Sequence, residues 1–596
     1  MDTIFGNPNI APYRITDLPR LTANVSELLQ YSGQIPVSED GEDVMFFWLV
    51  YNTTALPPKA HPSHPNRKLL VWFNGGPGCT SLDGVFLENG PYAFTENNDV
   101  GRREWSLTRS AVMLYIDQPL GTGYSYARTQ SYSRTYEQST AVFAQFLANF
   151  YTLFPELKPF GLYLGGESQA GVYLPYIAQE LLRRTQENVN GYAFPLKGLI
   201  IGNGWIDPLH QYPAVFEFSK AHQLHATSIE PKVNGLLAKC MHDYESRTPR
   251  IGNTVCEHYV TQFLKLSSPE PGKCYNTYDY RLIDSYPSCG MNWPPKIHEF
   301  TKYFRDPDVW RALHVDRQTW SNWIECNTKV GHYLENTTER PGVTLLPELL
   351  EQLPILFVAG DKDILCNYMG VEAMVDNMHW NGQTGFRRQG LWTWEVADQP
   401  AGYYMADRNL TYVRLFNASH MAGVDKPREL YDLMTRFMHT DRKNLPFKSR
   451  IIKTLSPRTG KPVSTPPSSG HFLAGTIAAT LIIFALIGLG LFLYRRYQRR
   501  VRSRMGEYAS LDHAGMDMAP AMRAGLDNSI TATLGKQLPG SALLHNPKAP
   551  TQDIQLSDLV YQDDFLLDDG TASEATDPDD EDAPTTSKRT GKHPRH

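Results

Sequence analysis

Ser168 has the sequence surroundings of a nucleophile held on a sharp turn. It lies within Gly166-Glu-Ser-Gln-Ala-Gly171, between the apolar run Phe160–Leu164 and a helical pattern over Val172–Leu182. A strand–turn–helix junction of this kind exposes a serine hydroxyl and directs the N-terminus of the helix at a developing anion. The alternative is a small residue that only permits a tight turn.

Two later segments carry the acid and the base that a serine needs, because a hydroxyl is a poor nucleophile at neutral pH. Asp361 and Asp363 follow the strand-like run Pro354–Val358, and His420 follows Thr411–Phe416. Catalytic groups in open α/β sheets gather at the carboxyl ends of strands, so these loops can converge with the serine. The alternatives are a solvated loop acid and an ordinary surface histidine.

A glycine-rich segment early in the chain offers hydrogen-bond donors for an anion. Trp72–Gly84 reads Trp-Phe-Asn-Gly-Gly-Pro-Gly-Cys-Thr-Ser-Leu-Asp-Gly and follows a strand-like run. Neighbouring glycines leave backbone N–H groups uncovered, which is what an oxyanion hole requires. A plain turn is the alternative, since glycine and proline are common in loops.

The elements that must position these residues are buried strands that alternate with helices. Continuous apolar runs are typical of strands covered on both faces of a parallel sheet. With the helical pattern Glu137–Asn149 between two of them, they predict a doubly wound, mostly parallel α/β fold over residues 1–447. The strand-like runs are Arg67–Phe73, Ala111–Ile116, Gly198–Ile201 and Pro354–Val358.

The segment from about Asp207 to Cys326 has little strand signal and holds five of the seven cysteines. We expect a helical, disulfide-stapled insertion into the sheet domain. The cysteine count is odd, so at least one thiol is free unless it pairs between chains. The five cysteines are Cys240, Cys256, Cys274, Cys289 and Cys326.

Linked motifs make the sequence resemble the serine carboxypeptidase family over about residues 12–445. Within the family it is most similar to fungal, membrane-anchored members that process precursor peptides. The resemblance implies an α/β-hydrolase fold and removal of C-terminal residues from peptides or proproteins, with no cofactor and no metal ion. The motifs are Asn74–Cys79, Asp117–Tyr126, Gly166–Gly171, Ile201–Trp205, Gly360–Asn367 and His420-Met421.

The resemblance also implies roles for single residues. Ser168 would be the nucleophile, His420 the general base and Asp363 the acid that orients the histidine, whereas Asp361 would be structural. The remaining implied site residues are the oxyanion-hole donors Gly76 and Gln169, the carboxylate-binding residues Asn74, Glu167 and Glu88, and the pocket residues Asp83, Cys366 and Met421.

The implied pairing of Glu167 with Glu88 has a physical requirement. Two carboxylates approach each other only when one carries a proton, so both should have raised, coupled pKa values. Peptide binding should then weaken as the pair ionises at higher pH.

Asp83 is implied to line the pocket for the leaving C-terminal residue. An acid there would pair with lysine or arginine, which matches the resemblance to precursor-processing members. The alternatives are a solvated aspartate and a helix N-cap.

The disulfide pairing is likewise partly implied by the resemblance. Cys79 would pair with Cys326, which ties the glycine-rich segment to the end of the insertion. Cys240–Cys256 and Cys274–Cys289 are the local pairs that we favour among the 15 connectivities of six cysteines. Cys366 would then be the free thiol.

Two residues depart from the family pattern. Gln169 replaces the usual aromatic residue after the serine, so the pocket for the residue before the scissile bond should be more polar. Gly423 stands where the family usually has proline, and we expect glycine to loosen the loop that carries His420.

The C-terminal part of the sequence predicts a membrane anchor. Residues 448–471 form a Pro/Ser/Thr-rich linker, and Phe472–Tyr494 is a run of 23 residues without a charge, long enough to cross a bilayer. The basic cluster that follows places residues 495–596, a disordered acidic tail, on the cytoplasmic side. Tyr508–Leu511 has the form of a sorting signal for cytoplasmic machinery.

These features predict a single-pass protein of the trans-Golgi network with a lumenal catalytic domain. The net charge of −6 gives no reason to expect a nucleic-acid partner. The start Met1–Arg14 lacks a basic and then apolar leader, so we expect that a signal peptide is missing from this sequence. The candidate N-glycosylation sites are Asn24, Asn52, Asn336, Asn409 and Asn417.

Two other functions use the same residues differently. An acyltransferase or esterase would keep the triad, and a non-catalytic relative would keep only the fold. Asn74 and Glu167 favour a substrate with a free carboxylate, and the retained serine, acid and histidine favour an enzyme.

Overall fold

The apolar runs of the sequence form the middle of an eleven-stranded sheet. The computed structural model describes residues 4–453 except 58–59, 192, 247–249, 291–292, 317–322, 335–338, 388–391 and 444. The strands are β1 Leu28–Pro36, β2 Val44–Asn52, β3 Lys68–Phe73, β4 Tyr92–Phe94, β5 Val100–Arg102, β6 Val112–Ile116, β7 Gly161–Glu167, β8 Leu196–Gly202, β9 Lys273–Tyr275, β10 Ile283–Ser285, β11 Ile355–Gly360, β12 His379–Trp380, β13 Gln383–Thr384, β14 Trp392–Val396, β15 Gln399–Asp407, β16 Leu410–Leu415 and β17 Ser449–Lys453.

Helices connect the strands and cover the sheet. They are α1 Tyr136–Leu153, α2 Ala170–Gln186, α3 Pro208–His222, α4 Glu230–Glu245, α5 Thr254–Leu266, α6 Ile297–Phe304, α7 Pro307–Ala312, α8 Thr328–Leu334, α9 Leu346–Gln352, α10 Tyr368–Asn377, α11 Ala422–Asp425 and α12 Pro427–Phe437. A single π-helical turn, Gly84–Glu88, follows the glycine-rich segment.

The strand order is β1-β2-β6-β3-β7-β8-β11-β16-β15-β14-β17. The six strands from β6 to β16 are parallel to one another. Antiparallel strands extend the sheet at both edges. The prediction of a doubly wound, mostly parallel sheet is therefore confirmed, and the four apolar runs coincide with β3, β6, β8 and β11.

The central strands are buried on both faces. In β3, Leu69, Val71 and Phe73 belong to one apolar core, whereas Leu70 and Trp72 belong to the other. Helices α1, α2 and α10 contribute side chains to the first core, and α6, α7 and α12 contribute to the second. Burial on both faces explains why these strands read as continuous apolar runs.

The insertion is helical, as predicted, and also contains the small antiparallel hairpin β9–β10. The disulfides Cys79–Cys326, Cys240–Cys256 and Cys274–Cys289 are all present, and Cys366 is free and buried. The first joins segments 247 residues apart in the sequence. The predicted pairing is therefore confirmed.

The sheet extends beyond the predicted domain end at residue 447. Strand β17 pairs with β14 in antiparallel register from Ser449 to Lys453. The predicted linker, membrane helix and tail otherwise fall outside the described residues. Among the residues that the structure does describe, none of the helices has the length and apolar composition needed to span a bilayer.

Candidate active site

Ser168 lies on a strained turn between β7 and α2. Its φ is +56°, a left-handed conformation that residues other than glycine rarely adopt. The Ser168 N–H donates to the Gly202 carbonyl at 3.1 Å, and its carbonyl accepts from the N–H groups of Gly171 at 2.9 Å and Trp205 at 2.8 Å. Hydrogen bonds to two other segments therefore hold the serine in this conformation.

The glycine-rich segment packs directly on this turn. A Cβ atom on Gly75 would lie 2.6 Å from the Ser168 Cβ and 2.9 Å from the Gln169 nitrogen. Only glycine permits so close an approach, because the Cβ atom of any other residue would clash with these atoms. The next residue, Gly76, has a φ of +103°. The backbone of the glycine-rich segment and the N-terminus of α2 are therefore both adjacent to Ser168.

Asp363 and His420 form a buried pair. The His420 Nδ1 lies 2.6 Å from the Asp363 Oδ2, and the side chains are 4% and 0% exposed. Because the Asp363 carboxylate can only accept a hydrogen bond, the His420 Nδ1 carries the proton. The Nε2 atom is then free of a proton and can accept one. The pair therefore holds the imidazole in the tautomer of a general base.

The Asp363 carboxylate has further donors. Its Oδ2 accepts from the Asn203 Nδ2 at 2.9 Å, and its Oδ1 accepts from the backbone N–H groups of Leu365 at 2.8 Å and Cys366 at 3.2 Å. The motif Ile201–Trp205, which contains Asn203, indicated only the family. No sequence signal predicted that Asn203 contacts Asp363.

Tyr278 of the insertion supports the histidine. The Tyr278 backbone carbonyl accepts a hydrogen bond from the His420 backbone N–H at 2.9 Å, and the ring centroids of the two residues lie 4.8 Å apart. The preceding carbonyl, of Thr277, accepts from Ile364 and Leu365 in the loop of Asp363. The insertion therefore supports the loops of both Asp363 and His420, which no local sequence signal indicated.

Cys366 links the serine to the acid–histidine pair. A carboxylate oxygen of Asp363, a ring nitrogen of His420 and the Cys366 Sγ all lie within 4.8 Å of one another. The Ser168 side chain lies near the same thiol, and burial raises the pKa of Cys366 well above its ordinary value. Ser168 and His420, from distant segments, therefore border one neutral thiol.

Asn74, Glu88 and Glu167 form a buried hydrogen-bonded group. The Asn74 Nδ2 donates to the Glu88 Oε1 at 2.7 Å and to the Glu167 Oε1 at 2.9 Å. Burial raises the pKa of both glutamates, and the charge and hydrogen bond of Glu88 raise the pKa of Glu167 further. The two carboxyl groups therefore share a proton, as their closeness requires.

Asp83 is buried at the start of the π-helical turn. It is 1% exposed, and its side chain makes no capping hydrogen bond to that turn. Burial raises its pKa well above the ordinary value, and the nearby acids Glu325, Glu88 and Asp117 add to the shift. Both alternatives considered for Asp83, a solvated residue and an N-cap, are inconsistent with this position.

Two other implied pocket residues adjoin the catalytic groups. Met421 follows His420 directly, at the start of α11, and is 8% exposed. Gln169 is half-buried at the N-terminus of α2, and its Nε2 donates to the Tyr136 hydroxyl at 2.6 Å. Asp361 instead places its Oδ2 3.3 Å from the Lys362 Nζ and forms no hydrogen bond or ion pair with His420, in keeping with a structural role.

The loop after His420 is not loosened by Gly423. It forms α11, and a Cβ atom on Gly423 would lie 2.8 Å from the Glu88 carbonyl oxygen. Asp425 accepts from the Ser419 N–H at 2.7 Å and is paired with Arg281 at 2.9 Å. The expectation of a loose loop is wrong, because glycine here permits tight packing.

The candidate glycosylation sites differ in accessibility. Asn24, Asn409 and Asn417 are exposed. Asn52 is 5% exposed and its Oδ1 accepts from Thr54 and Ala55, so its folded side chain has no room for a glycan. Asn336 lies outside the described residues.

The chain is similar over most of its length to known carboxypeptidases. The sequence profile described as serine carboxypeptidase matches residues 19–440. The pheromone-processing carboxypeptidase of Aspergillus fumigatus is 36% identical over 535 residues, 85% of this chain and 83% of the relative. That of Penicillium rubens is 35% identical over 580 residues, 91% of this chain and 92% of the relative.

A solved structure has the same architecture. The crystal structure of a prohormone-processing carboxypeptidase from Saccharomyces cerevisiae is 31% identical, covers 74% of this chain and 99% of its own, and has a TM-score of 0.65. The sequence resemblance to fungal precursor-processing members is thus confirmed. The chain belongs to the serine carboxypeptidase family and is a serine-type hydrolase.

Proposed function

We propose that this chain removes C-terminal residues, preferentially lysine and arginine, from peptides and proprotein precursors through an acyl-enzyme. One observation carries the proposal: a serine turn and a buried Asp363–His420 pair adjoin the hydrogen-bonded group Asn74, Glu88 and Glu167, which includes the residue before the serine. The serine turn and the Asp363–His420 pair would provide acyl-transfer chemistry. The group Asn74, Glu88 and Glu167 would restrict that chemistry to the C-terminal end of a peptide.

The Ser168 hydroxyl would attack the scissile carbonyl carbon while the His420 Nε2 takes its proton. The backbone N–H groups of Gly76 and Gln169 would bind the resulting oxyanion. The C–N bond then breaks, and His420 returns the proton to the leaving amine. Water loses a proton to His420 and attacks the acyl-enzyme, which releases the shortened peptide and restores Ser168.

The group Asn74, Glu88 and Glu167 would bind the C-terminal carboxylate of the substrate. Asn74 supplies an N–H donor, and the proton shared by Glu88 and Glu167 supplies an O–H donor. An ionised pair would repel the same carboxylate. The shared proton thus makes the site selective for a free acid and for mildly acidic conditions.

Asp83 would contact the side chain of the leaving residue. A buried acid without a cationic partner favours a substrate that brings one, and lysine and arginine do so. The relatives described as pheromone-processing and prohormone-processing are consistent with such substrates.

We further propose that Phe472–Tyr494 anchors the domain to the trans-Golgi network membrane, with residues 495–596 in the cytoplasm for contact with sorting machinery. The disulfides support a lumenal or extracellular catalytic domain, since disulfides persist in oxidising compartments. Exposed sequons at Asn24, Asn409 and Asn417 are consistent with that compartment. Protease protection of the tail in sealed membranes tests the topology.

A peptide library that varies only at its C-terminal residue tests the activity, with each member as a free acid and as a blocked amide. We expect release of single C-terminal residues from the free acids, fastest for arginine and lysine, and none by Ser168→Ala. Equal turnover of the amides would favour an esterase or acyltransferase. Failure of an organophosphonate to label Ser168 would favour a non-catalytic relative.

A further inference from the structure

A second acid is held beside Asp83 by the disulfide Cys79–Cys326. The two half-cystines have Cα atoms 3.9 Å apart and lie in a short antiparallel bridge. The Thr80 N–H donates to the Glu325 carbonyl at 2.9 Å across this bridge. Asp83 follows Cys79 by four residues and Glu325 directly precedes Cys326. The disulfide therefore brings together two acids that are far apart in the sequence.

Among the described residues, none places a positive charge beside Asp83. Its Oδ1 is fully buried and accepts a hydrogen bond from no described residue. The charged groups that act on it are Glu325, Glu88 and Asp117, all of them acidic. A buried carboxylate among like charges is costly unless it is protonated or a cation approaches.

Glu325 is within electrostatic range of both Asp83 and the insertion residue that packs on His420. Glu325 is half-buried, and that insertion residue is Tyr278, whose ring rests on His420. A cationic side chain bound at Asp83 would therefore also lie in the field of Glu325.

We propose that Glu325 is a specificity-determining residue that acts with Asp83, so that two carboxylates from the two sides of the Cys79–Cys326 bridge hold the cationic side chain of the leaving residue. Two separate carboxylates match the planar, forked donors of a guanidinium better than a compact ammonium, so the site favours arginine over lysine. This inference rests on the proposed function and adds Glu325 to Asp83 as a second acid of the pocket for the leaving residue.

The proposal has a pH signature. Because Asp83 holds a proton more tightly than an ordinary aspartate, its neutral form contributes little to binding a cation at low pH. The ratio of kcat/KM for C-terminal arginine over C-terminal leucine should therefore rise with pH. The effect of Glu88 and Glu167 on carboxylate binding is common to both substrates and cancels in the ratio.

The experiment measures kcat/KM for three peptides that differ only in a C-terminal arginine, lysine or leucine, between about pH 5 and pH 7.5. The variants are Glu325→Gln, Asp83→Asn and their combination. Glu351→Gln, at an exposed residue of α9, is the matched control. Turnover of the leucine peptide reports whether each variant is folded and active.

We expect Glu325→Gln to lower the arginine-to-leucine ratio about tenfold and to move its rise to lower pH, because Glu325 raises the pKa of Asp83, with little change for the leucine peptide. The lysine peptide should lose less than the arginine peptide. If Asp83→Asn lowers the ratio but Glu325→Gln does not, the role of Glu325 is wrong and the basic preference stands. If the unsubstituted enzyme does not prefer arginine to leucine, the basic preference itself is wrong and this inference falls with it.

Discussion

Gly423 packs against the backbone of Glu88. A Cβ atom on Gly423 would lie 2.8 Å from the Glu88 carbonyl oxygen and 3.0 Å from its Cα atom. The loop that follows His420 therefore packs on Glu88, the hydrogen-bonded neighbour of Asn74. The position of His420 is therefore linked through this packing to the position of the group Asn74, Glu88 and Glu167.

We expect Gly423→Ala to impair substrate binding as well as turnover. The added methyl group must displace Glu88, because backbone atoms cannot yield as a flexible side chain can. KM for a free-acid peptide should rise and kcat/KM should fall by at least about tenfold. Gly235→Ala in α4, where a Cβ atom meets nothing within 4 Å, is the matched control and should leave both constants unchanged. Full activity of Gly423→Ala would contradict this packing.

Carboxylate binding should depend on pH through Glu88 and Glu167. Both pKa values are raised, so the pair is protonated at low pH and loses its proton as pH rises. KM for a peptide acid should therefore rise between about pH 5 and pH 8. Glu167→Gln keeps an N–H donor but cannot ionise, so its KM should change much less over the same range. A KM that is flat in the unsubstituted enzyme would contradict the shared proton.

The same raised pKa has a consequence for stability. The folded chain keeps this proton above the ordinary glutamate pKa of 4.5, where the unfolded chain releases it. The resulting contribution to stability is present at low pH and is lost as pH rises through the folded pKa. The drop in Tm with rising pH should therefore be smaller for Glu167→Gln than for the unsubstituted enzyme, and equal drops would count against the raised pKa.

Asp425 should act as a positioning residue for His420. It accepts from the backbone N–H and the hydroxyl of Ser419, next to the histidine, and pairs with Arg281 of the insertion. We expect Asp425→Asn to lower kcat about tenfold with little change in KM, since a charged hydrogen bond is lost and substrate contacts are kept. The rate of Ser168 labelling by an organophosphonate should fall in parallel.

Asp308→Asn provides the control for Asp425→Asn. Asp308 pairs with Arg311 on the exposed face of α7, and its side chain is 63% exposed. Its loss should leave kcat unchanged. A lower Tm for Asp425→Asn without any loss of kcat would show that Asp425 stabilises the fold but does not position the base.

Gln169 should make the enzyme tolerant of polar residues before the scissile bond. Its Nε2 is fixed by the Tyr136 hydroxyl at 2.6 Å, which leaves the amide oxygen as an acceptor near Ser168. Gln169→Phe should shift kcat/KM towards peptides with an apolar residue at that position. Tyr136→Phe removes the partner but keeps the glutamine, so it should give a smaller shift in the same direction. An unchanged preference in both variants would place Gln169 outside the pocket.

The apolar runs of the sequence were sufficient for the sheet, whereas the disulfide pairing and the choice of Asp363 over Asp361 depended partly on the family resemblance. Ser168, Asp363 and His420 each follow a strand, and parallel strands bring such loops to one edge. Contacts between distant segments were not predictable in this way. Asn203 on Asp363, Tyr278 on His420 and Glu325 beside Asp83 each depend on how the loops and the insertion fold against the sheet.

Gly423 shows how a local rule can mislead. From the sequence, glycine in place of proline suggested a more flexible loop. The structure instead shows that the backbone of Glu88 occupies the space that a side chain would need. Conformational freedom is a property of one residue, whereas available space depends on its neighbours in the fold.

The most direct test of the account is mass-spectrometric analysis of one peptide, as a free acid and as its C-terminal amide, after incubation with the unsubstituted enzyme or Ser168→Ala. The account predicts stepwise loss of single C-terminal residues from the free acid only, and a loss of rate of about 10⁴-fold or more in Ser168→Ala. Undiminished hydrolysis by Ser168→Ala, or cleavage at internal bonds, would contradict it.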